Sequence, residues 1–319
     1  MAGPGRPRHR GNRESESGGH VSVYLEQVFN GLSLGWILLL VALGLTFTFG
    51  QMRVINMAHG ELIMAGAYVP YVLQTEIGFL AGAKGTAFVV ALPLAFLVSG
   101  ALGLLLERLV LSRMIDRPLD TLLVTFGISL ILQQAAKDLF GAPNVDVVTP
   151  TWLRGNWDLL GFTMPHRRLF IMALGLAVIV GVWAFMAKLP QGRRMRAVMQ
   201  NRDLAAVSGL ATRRVDGVTF FLGSGLAGIA GVAVSLIGSI GSQIGTDYVI
   251  DAFLVVIVGG LGTLRGAVIA AFLLGMTNAF SEYLTTASLG KAIVFILVVA
   301  FLQFRPNGLV SFKTRGLAT

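Results

Sequence analysis

Apolar residues run through this chain in long stretches, and a helix that crosses a bilayer needs about 20 such residues in succession. Eight blocks come near that requirement: 28–49, 54–74, 86–107, 119–137, 169–188, 216–241, 250–281 and 290–304. Two are interrupted, one at GQMRVINMAHGE (50–61) and one at GGLGTLRG (259–266). Non-helical backbone at membrane depth survives only where it is buried in protein or lines a cavity. Half-helices or re-entrant turns are therefore expected at both places. Gly-interrupted segments in corresponding halves of a chain point to a transporter with an internal repeat. The expected fold is an all-α polytopic membrane protein with about eight hydrophobic segments, two of them broken at Gly-rich half-helix junctions.

Composition agrees. Of 319 residues, 55% are hydrophobic and 13% charged, against about 25% charged in an average soluble domain. Mean hydropathy is +0.75. A disordered chain, a collagen-like chain and an ordinary soluble globule are excluded, and the bilayer is the natural solvent. The absence of Cys removes disulfides, thiolate metal sites and Cys nucleophiles. Residues 1–20 stand apart, polar and rich in Gly and Arg, and read as a disordered tail. They lack the apolar core of a secretory signal. Val21 opens a natural beginning, so a translated tail and a start at Val21 both stay open.

The net charge of +9 would point to nucleic acid in a soluble protein. Here its distribution follows the positive-inside rule. The 188–214 connection carries Lys188, Arg193, Arg194, Arg196, Arg202, Arg213 and Arg214 against Asp203 alone. The 108–117 and 305–319 segments are basic too, and all three are assigned to the cytoplasm. The nearly balanced 138–168 connection and the acidic 243–251 loop, with Asp247 and Asp251, are assigned outside. If 250–281 turns back at Gly259–Gly266, the C-terminal tail falls inside, in line with its charge.

The most informative cytoplasmic stretch runs from Arg196 through Asn201, Asp203, Ala205 and Ala206 to Gly209. It reads as a short helix stopped by a Gly and flanked by Arg, a handle for another protein. An ordinary basic loop is the plainer reading. In the first break, Asn56, His59 and Glu61 either line a pathway, since ionisable groups at that depth face a cavity or a partner, or act locally. In the local reading Asn56 caps the next helix, Glu61 complements its N-terminus, and His59 bonds nearby backbone. Arg265 either neutralises a half-helix end, pairs with Glu61 or Asp251, or snorkels. Gly259, Gly260, Gly262 and Gly266 mark a sharp backbone break. Glu107 and Arg108 read as a local pair, and Gly223, Gly225, Gly228 and Gly231 as close helix packing. Trp152 and Trp157 suit an interfacial belt or a contact with an external protein. No ligand spacing for a metal occurs around His59.

Several of these segments resemble one family. NRDLAAVSGL (201–210) is similar to the coupling loop of ABC-transporter permeases, with Asp203 and Gly209 at the acidic and Gly positions. VINMAHGELIMAGAY (54–68), DAFLVVIVGGLGTLRG (251–266) and FRPNGL (304–309) resemble motifs of the branched-chain amino-acid permease family, and the likeness runs from residue 24 onward. Within that family, TLLVTFGISLILQQ (121–134) and FGAPNV (140–145) are most similar to the first permease subunit of urea importers. The resemblance implies a transmembrane domain over 21–319 with a coupling loop at 189–215, in a bacterial inner membrane. It implies a second permease subunit, two ATPase subunits that bind ATP and Mg, and an external substrate-binding protein, with no cofactor in this chain and nitrogen uptake as the role. The sequence agrees in lacking any G-x-x-x-x-G-K-[ST] phosphate loop. Urea is the expected cargo and branched-chain amino acids the alternative. A secondary transporter or a channel for a small neutral solute is a further alternative, weakened by sparse membrane acids. A membrane enzyme lacks any clustered acid/His or Ser/His/Asp set.

Overall fold

In the computed structural model, residues 13–52, 54–77, 82–114, 117–159 and 162–310 are described; the side chains of 13–22, 118, 159 and 162 are not. The helices are α1 (Arg13–Met52), α2 (His59–Thr75), α3 (Lys84–Leu109), α4 (Pro118–Phe140), α5 (His166–Lys188), α6 (Pro190–Gln200), α7 (Arg202–Val207), α8 (Thr212–Val234), α9 (Ile244–Gly259), α10 (Leu264–Leu284) and α11 (Ala287–Phe304). A hairpin of β1 (Asn156–Leu159) and β2 (Phe162–Pro165) joins α4 to α5. Seven of the helices, α1, α3, α4, α5, α8, α10 and α11, are long and apolar enough to cross a membrane. The all-α polytopic membrane fold is as expected.

α1 and α8 form the centre, and α5 and α11 are the most open to the surroundings. The centre is built from small residues. Gly223 of α8 lies against Gly44 of α1, Gly225 against Phe96 of α3, Gly228 against Ala95 and Ser99 of α3, and Gly231 against Ile63 and Gly66 of α2. With lipid outside, helices gain little from burying more hydrocarbon, and close backbone approach supplies the attraction instead. Around these contacts Leu39, Leu40, Leu43, Leu45, Leu62 and Ile63 fill the core, while Leu105, Leu109, Leu123, Ile131 and Ile296 face outward.

Side-chain and backbone contacts define two ends. At one end the α1 terminus packs with α3 and α8 through Met52, Leu106, Leu111 and Phe220, and Gly50 touches both Met199 of α6 and Gly262. This is the basic end, the cytoplasmic one by charge. At the other, Val145 bridges Ile240, Gln74 exchanges hydrogen bonds with the Val148 backbone, and the Arg167 guanidinium reaches the Leu236 carbonyl. The expected sidedness of the 138–168 connection is therefore consistent with these contacts.

Three expectations need correction. The helix α1 starts at Arg13, inside the segment read as a disordered tail, while residues 1–12 lie outside the described residues. An established helix extends at one hydrogen bond per added residue, so polar composition alone does not stop it. Second, 216–241 is not one span. Its helix ends at Val234, and residues 235–243, with Ser235, Gly238, Ser239, Gly241 and Ser242, run non-helically until α9 begins. Third, the acidic 243–251 stretch is the start of that helix rather than a loop.

The internal repeat becomes visible in this arrangement. α1 is followed by the non-helical residues 54–56 and the 17-residue α2; α8 is followed by 235–243 and the 16-residue α9. At 1.5 Å per residue, α2 and α9 are only about 24–26 Å long, short of a hydrocarbon layer of about 30 Å. α2 packs on α8 as α9 packs on α1, and α3 packs on α8 as α10 packs on α1. The second unit runs in the opposite sense to the first, the relation of an inverted repeat.

Candidate functional site

The cytoplasmic segment 189–215 is two helices rather than a loop. Asn201 caps α7: its side-chain oxygen accepts from the Leu204 N–H at 2.9 Å. The helix ends at Gly209, with φ of +84°. There the Gly209 N–H donates to the Ala206 carbonyl at 3.0 Å and the Leu210 N–H to the Ala205 carbonyl at 3.1 Å. This paired closure needs the left-handed conformation that Gly adopts without a Cβ penalty. Ala205 is buried beneath the helix. Asp203, Ala206 and Gly209 are exposed, beside exposed Leu204 and Val207. Arg196 is exposed on α6 and its guanidinium donates to the Met186 carbonyl at the end of α5.

Beneath α7 lies a residue that the sequence reading passed over. Asp216 in the first turns of α8 has no exposed surface. Its carboxylate accepts two bonds from Arg202, at 3.1 and 2.5 Å, and one from the Gln51 amide at 3.2 Å. Glu107 is buried nearby on α3, whereas Arg108 is exposed; Arg108 acts on Glu107 through its charge, together with Arg202 and Arg213.

The first break brings Asn56, His59 and Glu61 to the junction of the two repeats. Asn56 folds back on itself, its Oδ1 accepting from the Ala58 N–H at 3.1 Å. His59 Nε2 lies 3.2 Å from the Val41 carbonyl in mid-α1. Both bonds are to backbone, but Asn56 is not the helix cap: α2 starts from Ala58 at the N-cap position, with no side-chain cap bond. Glu61 does more. One carboxylate oxygen accepts from Ser129 Oγ at 2.8 Å and from Gln133 Nε2 at 2.9 Å, both on α4. The Gln133 amide also reaches Thr246 Oγ1 of α9 at 3.0 Å. The other Glu61 oxygen, the Asn56 amide nitrogen and His59 Nδ1 are buried without a hydrogen-bond partner. Unsatisfied buried polar groups are costly, and three of them fall within residues 56–61. Ser129 is one polar residue in an apolar run, Gln133 is one of an adjacent Gln pair and Thr246 sits in a polar stretch beside Asp247; only the fold brings them to Glu61.

The second break has a different position. α9 ends at Gly259, Gly260 and Gly262 take φ of +99° and +75°, and α10 starts at Leu264 with Gly266 packed on Gly259. The turn lies at the basic end, next to Gly50, and the Leu309 and Val310 N–H groups close it from the C-terminal side. The segment, a candidate for the translocation path or a helix break, forms a helix break here. Arg265 is exposed and pairs with neither Glu61 nor Asp251. Asp251 instead shares a cleft of about 420 Å³ with Asp247, Glu282 and Lys291. Among the described residues no His, Asp and Glu cluster could hold a metal ion.

Two half-helices meeting inside an inverted repeat, a polar junction between them and an exposed helix on the basic side define a multi-pass permease of the cytoplasmic membrane. The chain belongs to the family described as branched-chain amino acid transport system, permease component, which matches residues 27–302. It is 28% identical to the high-affinity branched-chain amino acid transport system permease protein BraD of Pseudomonas aeruginosa, over 90% of this chain and 95% of that one. LivH of Escherichia coli K12 is 28% identical with the same coverage, and LivM of that organism is 26% identical over 87% of this chain and 68% of its own. Among solved structures, PsaBC from Streptococcus pneumoniae aligns with a TM-score of 0.42 and 16% identity over 90% of this chain and 93% of that one. Members of this family are transport components rather than enzymes.

Proposed function

We propose that this chain is one permease subunit of an ATP-driven importer and that its cargo is a branched-chain or similar aliphatic amino acid. The observation that carries the cargo is Glu61. A buried carboxylate with one oxygen still unpartnered, at the meeting of two half-helices, suits the ammonium of an amino acid. Neutral urea needs no such charge, and the relatives described above are named for branched-chain amino acids. In the 121–134 segment, whose likeness favours urea, Ser129 and Gln133 both serve to hold this carboxylate.

The remaining parts are assigned by the same reading. A second permease subunit completes the path, and an external binding protein delivers the cargo. Two ATPase subunits, which bind the ATP and Mg, dock from the cytoplasm, and α7, where Leu204, Val207 and Asp203 face outward, is this chain's contact with them. This chain holds no cofactor and no nucleic acid. Closure of the ATPases displaces α7 and tilts the spans attached to it, turning outward into inward access.

Uptake of labelled leucine and labelled urea, in cells with and without the gene, tests the cargo. Loss of leucine uptake alone is expected. Loss of urea uptake alone would return the assignment to urea and leave the architecture and partners standing.

A further inference from the structure

α1 and α8 run antiparallel, and two contacts lie on their shared seam. At one, Gly44 and Gly223 touch backbone to backbone. At the other, Gln51 donates to Asp216. Residues 44 and 51 are seven apart, and so are 216 and 223, so the contacts stand about two helical turns from each other along one line. The Gly44 contact also touches the His59 ring, at the start of the turn that carries Glu61. The Asp216 contact is where Arg202, the first residue of α7, enters.

Asp216 is fully buried, whereas the Arg202 side chain is about one-third exposed. Parting them would strand a charge without water, which opposes separation. The planar guanidinium bonds both carboxylate oxygens and so fixes orientation as well as distance. The pair therefore ties α7 to the seam. Glu107, buried on α3, lies in the field of the same group and is offset by Arg108, Arg202 and Arg213.

We propose that Asp216 is a positioning residue for energy coupling: through Arg202 it carries displacement of α7 into the α1–α8 seam, and through the Gly44–Gly223 crossing to the Glu61 junction. The inference rests on the reading that ATPases dock on α7. It adds that the ion pair, and not only the covalent link through 208–211, transmits the movement.

The test uses the complete importer in proteoliposomes, measuring ATPase co-purification, ATP hydrolysis and leucine taken up per ATP hydrolysed. Asp216→Asn and Arg202→Gln are expected to keep co-purification and hydrolysis. Uptake per ATP should fall at least about fivefold, the low end of a typical coupling free energy. Arg202→Lys, which keeps the charge and loses the fork, should fall between wild type and Arg202→Gln. Arg202→Gln leaves the buried Asp216 charge with Gln51 alone, so Asp216→Asn, which buries no charge, tests the idea if Arg202→Gln does not fold, and wild-type uptake per ATP in Asp216→Asn would overturn it equally. Wild-type uptake per ATP in Arg202→Gln would overturn the inference alone. Absence of ATPase subunits from the wild-type preparation would overturn the docking reading and the inference with it.

Discussion

Gly60 and Gly245 touch backbone to backbone where the first turns of α2 and α9 converge. A β-carbon on Gly60 would stand 2.2 Å from the Gly245 carbonyl oxygen, and one on Gly245 would stand 2.5 Å from the Gly60 carbonyl. The clash is with backbone on both sides, so no side chain can rotate away to relieve it. Alanine at either position is expected to cost about 1–3 kcal/mol, the usual range for overpacking, read as a lowered thermal midpoint of the purified protein. An unchanged midpoint in both variants would show that the two half-helices do not meet this closely.

Glu61→Gln keeps the shape of the side chain and an oxygen for Ser129 and Gln133, but removes the charge. A hydrogen bond to a charged group is worth about 1.5–3 kcal/mol, so leucine uptake should fall by roughly 10- to 100-fold. Binding of leucine to the external binding protein should be untouched. Full uptake by Glu61→Gln would remove Glu61 from the path.

Gly209 offers a cleaner test of docking than most surface positions. A β-carbon there meets nothing within 4 Å, yet the backbone is left-handed. Gly209→Asn, which tolerates that conformation, should keep the α7 closure. Gly209→Glu is expected to insert in the membrane, fail to retain ATPase subunits and abolish transport. Normal ATP-dependent uptake in that variant would count against docking at α7.

The segment after α11 closes the Gly-rich turn. The Leu309 N–H donates to the Val258 carbonyl at 2.8 Å and the Val310 N–H to the Gly259 carbonyl at 3.1 Å, satisfying two carbonyls at the end of α9. Each such bond contributes about 0.5–1.5 kcal/mol. Removal of residues 305–319 should lower the thermal midpoint and speed hydrogen exchange at Gly260–Thr263. Unaltered exchange there would show that the turn holds itself.

The sequence carried the spans and the helix-ending role of Gly209 because both depend on local chemistry: apolar length in one case, a left-handed residue in the other. It also carried the turn at Gly259–Gly266, but put it at membrane depth, since a run of Gly reveals a break and not its height. The non-helical stretch 235–243 stayed hidden inside a block that is apolar enough to pass as helix. Asp216 was invisible for a related reason. One acid after Arg213 and Arg214 looks like the edge of a basic loop, and only the packing of α1, α7 and α8 turns it inward. The Glu61 partners lie 68 residues or more away in sequence, beyond any motif.

The most enclosed face of the bundle belongs to α8, against which α1, α2 and α3 all pack, and α8 is written late in the chain. A ribosome that has delivered the first three helices to the bilayer has not yet made the helix that joins them. Gly66, Ser99 and Gly100 must wait beside lipid or an insertion factor until residues 212–234 arrive. Insertion of this protein is thus sequential but its compaction is completed late: a chain stalled before α8 leaves the small-residue seam of α1, α2 and α3 uncovered.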